Sequence, residues 1–163
     1  MPAEQVWHFI RYFHYLALSV WIGGIISTVA VSVPAIRGSM ASKPVAGQII
    51  GRLLKRLNMI ELMCFLFLLA TAFSSLRFVH EQAKVWRLTT AIAAMGGLAF
   101  IYAYPLARCL DILKEKIPTL ETLPRGHAER IGFDRLYSIQ AALMTANLLL
   151  GLAVLYGSIG VFA

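Results

Sequence analysis

Charged residues are scarce in this sequence of 163 residues. Asp, Glu, Lys and Arg together make up 14% of it, whereas soluble proteins contain about 25%. Hydrophobic residues make up 59%, above the roughly 45–50% of soluble proteins, a figure that already includes glycine. A water-soluble bundle of this length could not bury so much apolar surface. The composition therefore excludes a soluble domain and predicts an integral membrane protein.

Acidic residues are scarcer than basic ones: 8 Asp and Glu stand against 15 Lys and Arg, a formal net charge of +7. In a soluble protein this excess would suggest nucleic-acid binding. Here the basic residues lie between long apolar runs, where they anchor helix ends and meet anionic lipid headgroups. We therefore expect the lipid bilayer as a partner and no nucleic acid.

Cysteine and the common catalytic patterns are nearly absent. Cys64 and Cys109 are far apart in the sequence and have neither metal-ligand spacing nor the pattern of a disulfide framework. The sequence also lacks a recognisable nucleophile with its base, a glycine loop for phosphates and a pair of acid–base carboxylates. We therefore expect a protein without catalysis of its own.

The sequence contains four long runs with almost no charge. Each is long enough for a helix that crosses a hydrocarbon core about 30 Å thick. The opening MPAEQVWHF lacks the basic start of a signal peptide and the first run is too long for one, so we expect the first span to be retained. The sequence predicts an all-α, single-domain bundle of four transmembrane helices, with spans at about 8–36, 57–77, 86–107 and 134–162.

The connection before the second span has a helical pattern of its own. Ser42 followed by Lys43-Pro44 is typical of a helix start. Apolar residues then recur at helical spacing, with Arg52, Lys55 and Arg56 between them. This pattern predicts an amphipathic helix at the cytoplasmic membrane surface that leads into the second span.

Lys and Arg are distributed unequally between the two sides of such a bundle. The side that holds both termini and the second connection has four of them, and the other side has eleven. The positive-inside rule places the basic side in the cytoplasm. We therefore expect a multi-pass protein of the bacterial inner membrane with both termini outside.

His14 is the only side chain between Arg11 and Arg37 that titrates near neutral pH, which makes it a candidate for function. Three interpretations are open: an interhelical hydrogen bond, axial ligation of haem b, or a metal site. A metal site would combine His14 with His8 and His80, which we expect on the same outer side, although their spacing does not impose a cluster.

Glu61 lies one turn into the second span, with Asn58 three residues earlier. A carboxylate at membrane depth is costly unless it is paired or protonated. We expect Glu61 to pair with a basic residue near Arg130 or Arg135 and so to fix how the second span meets the fourth. Proton transfer is the alternative.

Polar and small residues recur every three or four positions in the fourth span, which predicts a face directed into the bundle: Tyr137, Gln140, Met144, Asn147, Gly151 and Ser158. We expect Tyr137, Gln140 and Asn147 to form interhelical polar contacts; a ligand pocket is the alternative. Gly23-Gly24, Gly96-Gly97 and Gly151 either let helices approach closely or leave room for a flat ligand.

The first span contains the pattern H-x(6)-W-x-G-G followed by P, formed by His14, Trp21, Gly23-Gly24 and Pro34. It resembles an uncharacterised family of small four-helix bacterial membrane proteins, to which the mammalian transmembrane protein linked to cisplatin resistance is also similar. The segment from Gly51 to Glu61 resembles the same family's entry to the second span. Members have no agreed activity, so this resemblance implies a fold and no reaction.

More distantly, the first span is similar to the first helix of the CopD copper-resistance and HemJ protoporphyrinogen-oxidase membrane proteins. That similarity implies haem b with His14 as axial ligand and Trp21 and Gly24 beside it. Two positions differ from the HemJ pattern. Arg87 stands near the position of a lysine, and Tyr137 replaces a histidine, which removes the obvious second axial ligand.

Our leading expectation is a non-catalytic subunit or assembly factor of a larger membrane complex, with other membrane protein subunits as partners. The alternatives are a haem-b redox protein that uses His14 and a protein that handles copper or another metal.

Overall fold

The computed structural model describes residues 3–79, 81–116 and 127–162, which are almost entirely helical. Six α-helices and two π-helical segments follow one another: α1 (Ala3–Ile26), the first π segment (Ser27–Ser32), α2 (Val33–Ser39), α3 (Lys43–Ser75), α4 (Gln82–Ile101), the second π segment (Tyr102–Leu106), α5 (Ala107–Lys116) and α6 (Ala128–Phe162). These three ranges contain no β-strand. The predicted all-α class is confirmed.

Four described helical stretches are long and apolar enough to cross a membrane: Glu4–Ser39, Val45–Ser75, Gln82–Leu113 and Ala128–Phe162. The chain is therefore a multi-pass membrane protein with four candidate spans. The helices extend beyond most of the expected span bounds, because helical periodicity continues past the apolar runs. The second span is the exception: its helix ends at Ser75 and not at residue 77, since residues 76–78 form a turn.

The predicted amphipathic segment is the first part of α3, with no break before the second span. Ala46, Ile50 and Leu57 are buried, whereas Arg52 and Lys55 are exposed. Ser42 has the extended backbone of an N-cap residue but no capping hydrogen bond from its side chain. With 33 residues, α3 is about 50 Å long, well beyond the roughly 30 Å of a hydrocarbon core.

Each π segment lies beside a proline. Pro34 lies two residues after the end of the first segment, and Pro105 lies within the second. Proline cannot donate to the carbonyl four residues earlier, and a widened π turn is one way in which a helix accommodates that missing bond. The first and third spans run in the same direction, so both π segments lie towards the same end of the bundle.

Glycines that face the interior bring the spans into close contact. A Cβ atom at Gly96 would overlap the Phe65 ring, and one at Gly24 would lie 3.0 Å from Leu57. At Gly151 it would lie 3.3 Å from Ile22. Of the two readings left open by the sequence, close helix approach is therefore correct at these three positions. The neighbouring Gly23 and Gly97 face open space outside the bundle.

The interior between the four spans is filled mainly by large apolar side chains that are almost fully buried: Leu18, Trp21, Ile25, Leu68, Ile92 and Met95. The opposite surface of α3 exposes Leu66 and Phe67, as expected for a helix face in contact with lipid. Two groups of polar side chains interrupt the apolar interior, one towards each end.

Candidate functional site in two buried polar layers

The first polar group joins α1, α3 and α6 around His14, and we call it the histidine layer. The His14 side chain is fully buried. Its Nδ1 atom lies 2.9 Å from Thr71 Oγ1, and its Nε2 atom lies 2.9 Å from Ser158 Oγ. The Phe162 ring packs on the imidazole, with 4.5 Å between the ring centroids. Both ring nitrogens therefore have partners on other helices.

Both hydroxyl groups that contact His14 also donate hydrogen bonds to backbone carbonyls of their own helices. Thr71 Oγ1 donates to the Leu68 carbonyl at 2.9 Å, and Ser158 Oγ donates to the Val154 carbonyl at 2.7 Å. A neutral imidazole has one N–H and one acceptor nitrogen, so in that form one of the hydroxyls must turn its hydrogen towards the ring. A protonated ring donates to both hydroxyls. In either form both ring nitrogens are hydrogen-bonded.

This geometry does not fit the haem interpretation of His14. An axial ligand needs a free ring nitrogen that faces the iron, and both nitrogens of His14 are bonded to hydroxyls. Trp21 is fully buried in the core, and Gly24 packs against Leu57, so neither residue borders a space for a porphyrin.

The predicted metal cluster is not brought together by the described residues. His8 is exposed, whereas His14 is fully buried. His80, the third proposed ligand, lies outside the described residues. Within the described ranges no three His, Cys, Asp or Glu side chains are grouped so that they could hold a metal ion.

The second polar group joins α3, the second π segment and α6 around Glu61, and we call it the glutamate layer. The Glu61 side chain is 1% exposed. The Tyr102 hydroxyl donates to Glu61 Oε1 at 2.7 Å and accepts a hydrogen bond from Asn147 Nδ2 at 2.9 Å. Tyr102 and Asn147 are also fully buried. One continuous network therefore connects the second, third and fourth spans.

The expected ion pair between Glu61 and Arg130 or Arg135 is wrong. Glu61 is bonded to a tyrosine hydroxyl, and Arg130 donates to Asp134 at 3.2 Å. The reason is position along α6. Asn147 lies at the level of Glu61, whereas Arg130 is 17 residues earlier in the same helix, or about 25 Å away along the axis.

Two oxygen atoms of the glutamate layer lack a partner within the described structure: Glu61 Oε2 and Asn147 Oδ1. Both belong to side chains that are at most 1% exposed. A buried polar atom without a hydrogen bond costs about 1–3 kcal/mol. Among the described residues, no donor lies within hydrogen-bond distance of either acceptor, although the second amide hydrogen of Asn147 and the buried indole N–H of Trp21 are also unpaired.

An open cleft of about 1420 Å³ lies at the end of the bundle beyond the glutamate layer. The first part of α3, the second π segment, α5 and the first part of α6 form its walls. Basic side chains are prominent in its lining: Arg37, Arg52, Lys55, Arg108 and Arg130. The Arg37 guanidinium lies over the Tyr137 ring, 4.9 Å from its centroid, within the range of a cation–π contact.

Three of the five predicted interhelical polar residues line this cleft: Asn58, Tyr137 and Gln140. Gln140 is buried and Asn58 is partly buried. Neither amide has a hydrogen-bond partner among the described residues. Of the five, Glu61 and Asn147 belong to the glutamate layer. The predicted polar face of α6 therefore lies partly in that layer and partly along the cleft.

Sequence reasoning did not single out Thr71 or Tyr102. Thr71 is one hydroxyl in an apolar run, and such residues commonly bond to their own helix backbone. Tyr102 lies three residues before Pro105 in a run rich in aromatic and apolar residues. The nearby proline is the only local signal that the helix turns differently there.

Residues 16–115 match a family defined as a domain of unknown function (DUF4149). The chain belongs to this family. The match covers more than half of the chain and includes Trp21, Gly24, Glu61 and Tyr102, whereas His14 and Asn147 lie outside it. The expected membership of an uncharacterised family is confirmed at this level. No curated protein and no solved structure matches the chain.

Proposed function

We propose that this DUF4149 protein is a non-catalytic subunit or assembly factor that docks on another membrane protein through the outer face of α1. The observation that carries the proposal is a row of small residues on that face. Ser19 and Gly23 of α1 and Ser27, the first residue of the π segment that continues this helix, are four residues apart and all exposed. Rows of small residues at this spacing let two transmembrane helices approach closely.

The hydroxyl groups of this row provide a second, independent indication. Within the described residues, the Ser19 and Ser27 side chains have no hydrogen-bond partner. Two other exposed hydroxyl residues in the spans, Thr90 and Thr145, donate to carbonyls of their own helices at 2.9 Å. An unpaired hydroxyl in hydrocarbon is unfavourable. A partner helix with polar side chains would supply the missing bonds.

The contrast with α3 supports the choice of α1. The exposed face of α3 consists largely of bulky apolar side chains such as Met63, Leu66 and Phe67, which suit contact with lipid chains. A Cβ atom at Gly23 on α1 would meet nothing within 4 Å. Its surface is thus a shallow groove between two hydroxyls, into which a ridge of another helix fits.

Substitution of Gly23 tests this proposal. The protein is extracted from its native membrane in lipid discs, and the mass of the particle is compared with the 18.0 kDa of the free chain. We expect the wild type in a larger complex of defined composition and Gly23→Leu as the free chain, because leucine fills the groove. Gly97→Leu is the matched control, since Gly97 also faces open space but lies on α4.

Two results would contradict the proposal. One is a wild-type protein recovered only as the free chain in lipid discs. The other is equal loss of the complex in Gly23→Leu and Gly97→Leu, which would separate association from the face of α1.

We further propose the bacterial inner membrane as the location, with both termini outside. The support is the distribution of basic residues. Arg37, Arg52, Lys55 and Arg108 lie around the cleft, whereas Arg77 in the turn after α3 and Arg87 near the start of α4 lie at the opposite end of the bundle. Positive-inside bias then assigns the cleft to the cytoplasmic side.

A further inference from the structure

We propose that Glu61 binds a proton that it exchanges with water through the cleft, with Asn58 and Gln140 forming the route. The inference is independent of the docking role of α1. It rests on the two unpartnered oxygens of the glutamate layer and on the position of the two free amides between that layer and the cleft.

No donor of the described residues reaches Glu61 Oε2. Tyr102 gives its only hydrogen to Glu61 Oε1, and Asn147 gives one amide hydrogen to Tyr102. Glu61 Oε2 and Asn147 Oδ1 remain acceptors without hydrogen. A proton on Oε2 converts that atom into a donor and leaves Asn147 Oδ1 as the free acceptor of the same layer.

A metal cation is a poorer match for the same site. Ions such as Ca²⁺ and Mg²⁺ take about six or more oxygen ligands. The described residues offer two unpartnered side-chain oxygens in this layer and no group of three ionisable ligands. A proton needs only one oxygen to carry it and one to accept its hydrogen bond. These two oxygen atoms therefore suit a proton better than a metal cation.

The titratable side chains in contact with this site are few. On α3, Cys64 follows Glu61 by one turn and is buried. The second π segment contributes Tyr102, and α6 contributes the uncharged Asn147. On the cleft side, the nearest titratable residues of α6 are Tyr137 and Asp134, which line the cleft. None of these contacts places a cation on Glu61 Oε2.

The route to water runs in one direction. Asn58 lies one turn before Glu61 on α3, and Gln140 lies two turns before Asn147 on α6. Both line the cleft and both amides are free to bond to water. In the opposite direction, Leu68, Ile92 and Met95 are completely buried. Ten residues separate Glu61 from Thr71 on α3, which is about 15 Å of apolar packing.

The exchange step is simple. A hydronium ion in the cleft gives its proton to Glu61 Oε2, so that the carboxylate becomes a carboxyl group and a water molecule remains. In the reverse step the carboxyl group gives its proton to a water molecule of the cleft, which becomes hydronium. No bond between heavy atoms forms or breaks. In lipid the carboxyl form also avoids the cost of a buried, unpaired charge.

Infrared spectroscopy of the protein in lipid discs tests this proposal. The carbonyl stretch of a protonated carboxyl group is absent from a carboxylate. We expect the difference spectrum between wild type and Glu61→Gln to show this band at neutral pH. Glutamine keeps the acceptor for Tyr102 and supplies a donor in place of the bound proton, so the variant should fold.

Transfer to D₂O then measures access. The carboxyl band shifts when deuterium replaces the proton. We expect the shift to be about tenfold slower in Gln140→Leu and in Asn58→Leu, a change that corresponds to about 1.4 kcal/mol of barrier. Asn58 is only partly buried, so its variant has little effect on folding. Ser158→Ala, in the histidine layer, is the control and should exchange at the wild-type rate.

Each other outcome overturns the proposal. Absence of the band from the difference spectrum means that Glu61 carries no proton. Deuterium exchange at the wild-type rate in both Asn58→Leu and Gln140→Leu would show that the proton does not pass these two residues. Slower exchange in Ser158→Ala than in these variants places the route on the histidine side.

Discussion

At the scale of single residues, the two polar layers determine which helix faces meet. Interhelical hydrogen bonds in membranes contribute on average only about 0.6 kcal/mol each. A polar atom left without a partner costs about 1–3 kcal/mol. Sliding α6 by one residue relative to α1 and the second π segment would separate Ser158 from His14 and Asn147 from Tyr102 at once. The layers thus disfavour wrong registers more strongly than they stabilise the correct one.

Glycine at position 96 is required by the ring that lies against it. We expect Gly96→Ala to lower the free energy of unfolding by about 1–3 kcal/mol, the usual cost of forcing an extra group into a packed core. The reason is the overlap between the new Cβ atom and the Phe65 ring. Thermal or chemical unfolding in detergent measures the effect.

The adjacent glycine provides the control for this prediction. A Cβ atom at Gly97 meets nothing within 4 Å, so Gly97→Ala should be neutral or stabilising by up to about 1 kcal/mol through helix propensity. Equal destabilisation by both substitutions would show that the Phe65 contact is not the cause.

The sequence was sufficient to predict that a polar residue is buried where it stands alone in an apolar run, because its exposure to lipid would be costly. Glu61 and Asn147 are conspicuous in apolar runs, and both are buried in the interior. Their partners were not predictable, because Tyr102 is one of many aromatic residues and Thr71 is one of several hydroxyl residues in the spans. Recognition of these partners requires the relative rotation of the helices, which no local pattern specifies.

At the scale of whole elements, the periodicity of apolar residues was sufficient to predict the four spans and the amphipathic start of α3. It was not sufficient to predict the π segments. Pro34 and Pro105 indicate that a backbone hydrogen bond is missing. A kink, a helix end and a π turn are all compatible with the missing bond. The choice among them depends on packing. Leu110 of α5 is buried against Phe133 of α6, a contact that the rotation of α5 makes possible.

Removal of the second proline should change that rotation. In Pro105→Ala the N–H can donate to the Ile101 carbonyl, and we expect the π segment to become α-helical. Loss of the extra residue from the turn rotates α5 by about 100° and moves Leu110 away from Phe133. A disulfide between Leu110→Cys and Phe133→Cys measures this contact.

The disulfide experiment uses a chain in which Cys64 and Cys109 are replaced by alanine. We expect oxidation to join the two introduced cysteines efficiently when Pro105 is present and poorly in Pro105→Ala. Equal crosslinking with and without the proline would show that the π segment does not position α5.

At the scale of the whole molecule, the two cysteines of the chain report on orientation. Cys109 is exposed on α5 and Cys64 is buried in the bundle. If the cleft faces the cytoplasm, a membrane-impermeant maleimide should leave intact spheroplasts unlabelled. It should label Cys109 once the membrane is permeabilised.

A cysteine at the opposite end completes this measurement. The Lys84 side chain is 51% exposed, so Lys84→Cys in a Cys109→Ala chain should be labelled in intact spheroplasts. Labelling of Cys109 in intact spheroplasts, together with no labelling of Lys84→Cys, would show that the protein has the opposite orientation.

The length of α3 has a consequence for how other molecules reach this protein. Its first part rises about 20 Å above the hydrocarbon border, and α6 also continues past the apolar region at that end. The cleft therefore opens to the aqueous phase, whereas the small-residue row of α1 faces the bilayer and is accessible to other membrane proteins. A soluble molecule in the cleft and a membrane protein against α1 would therefore not compete for the same surface.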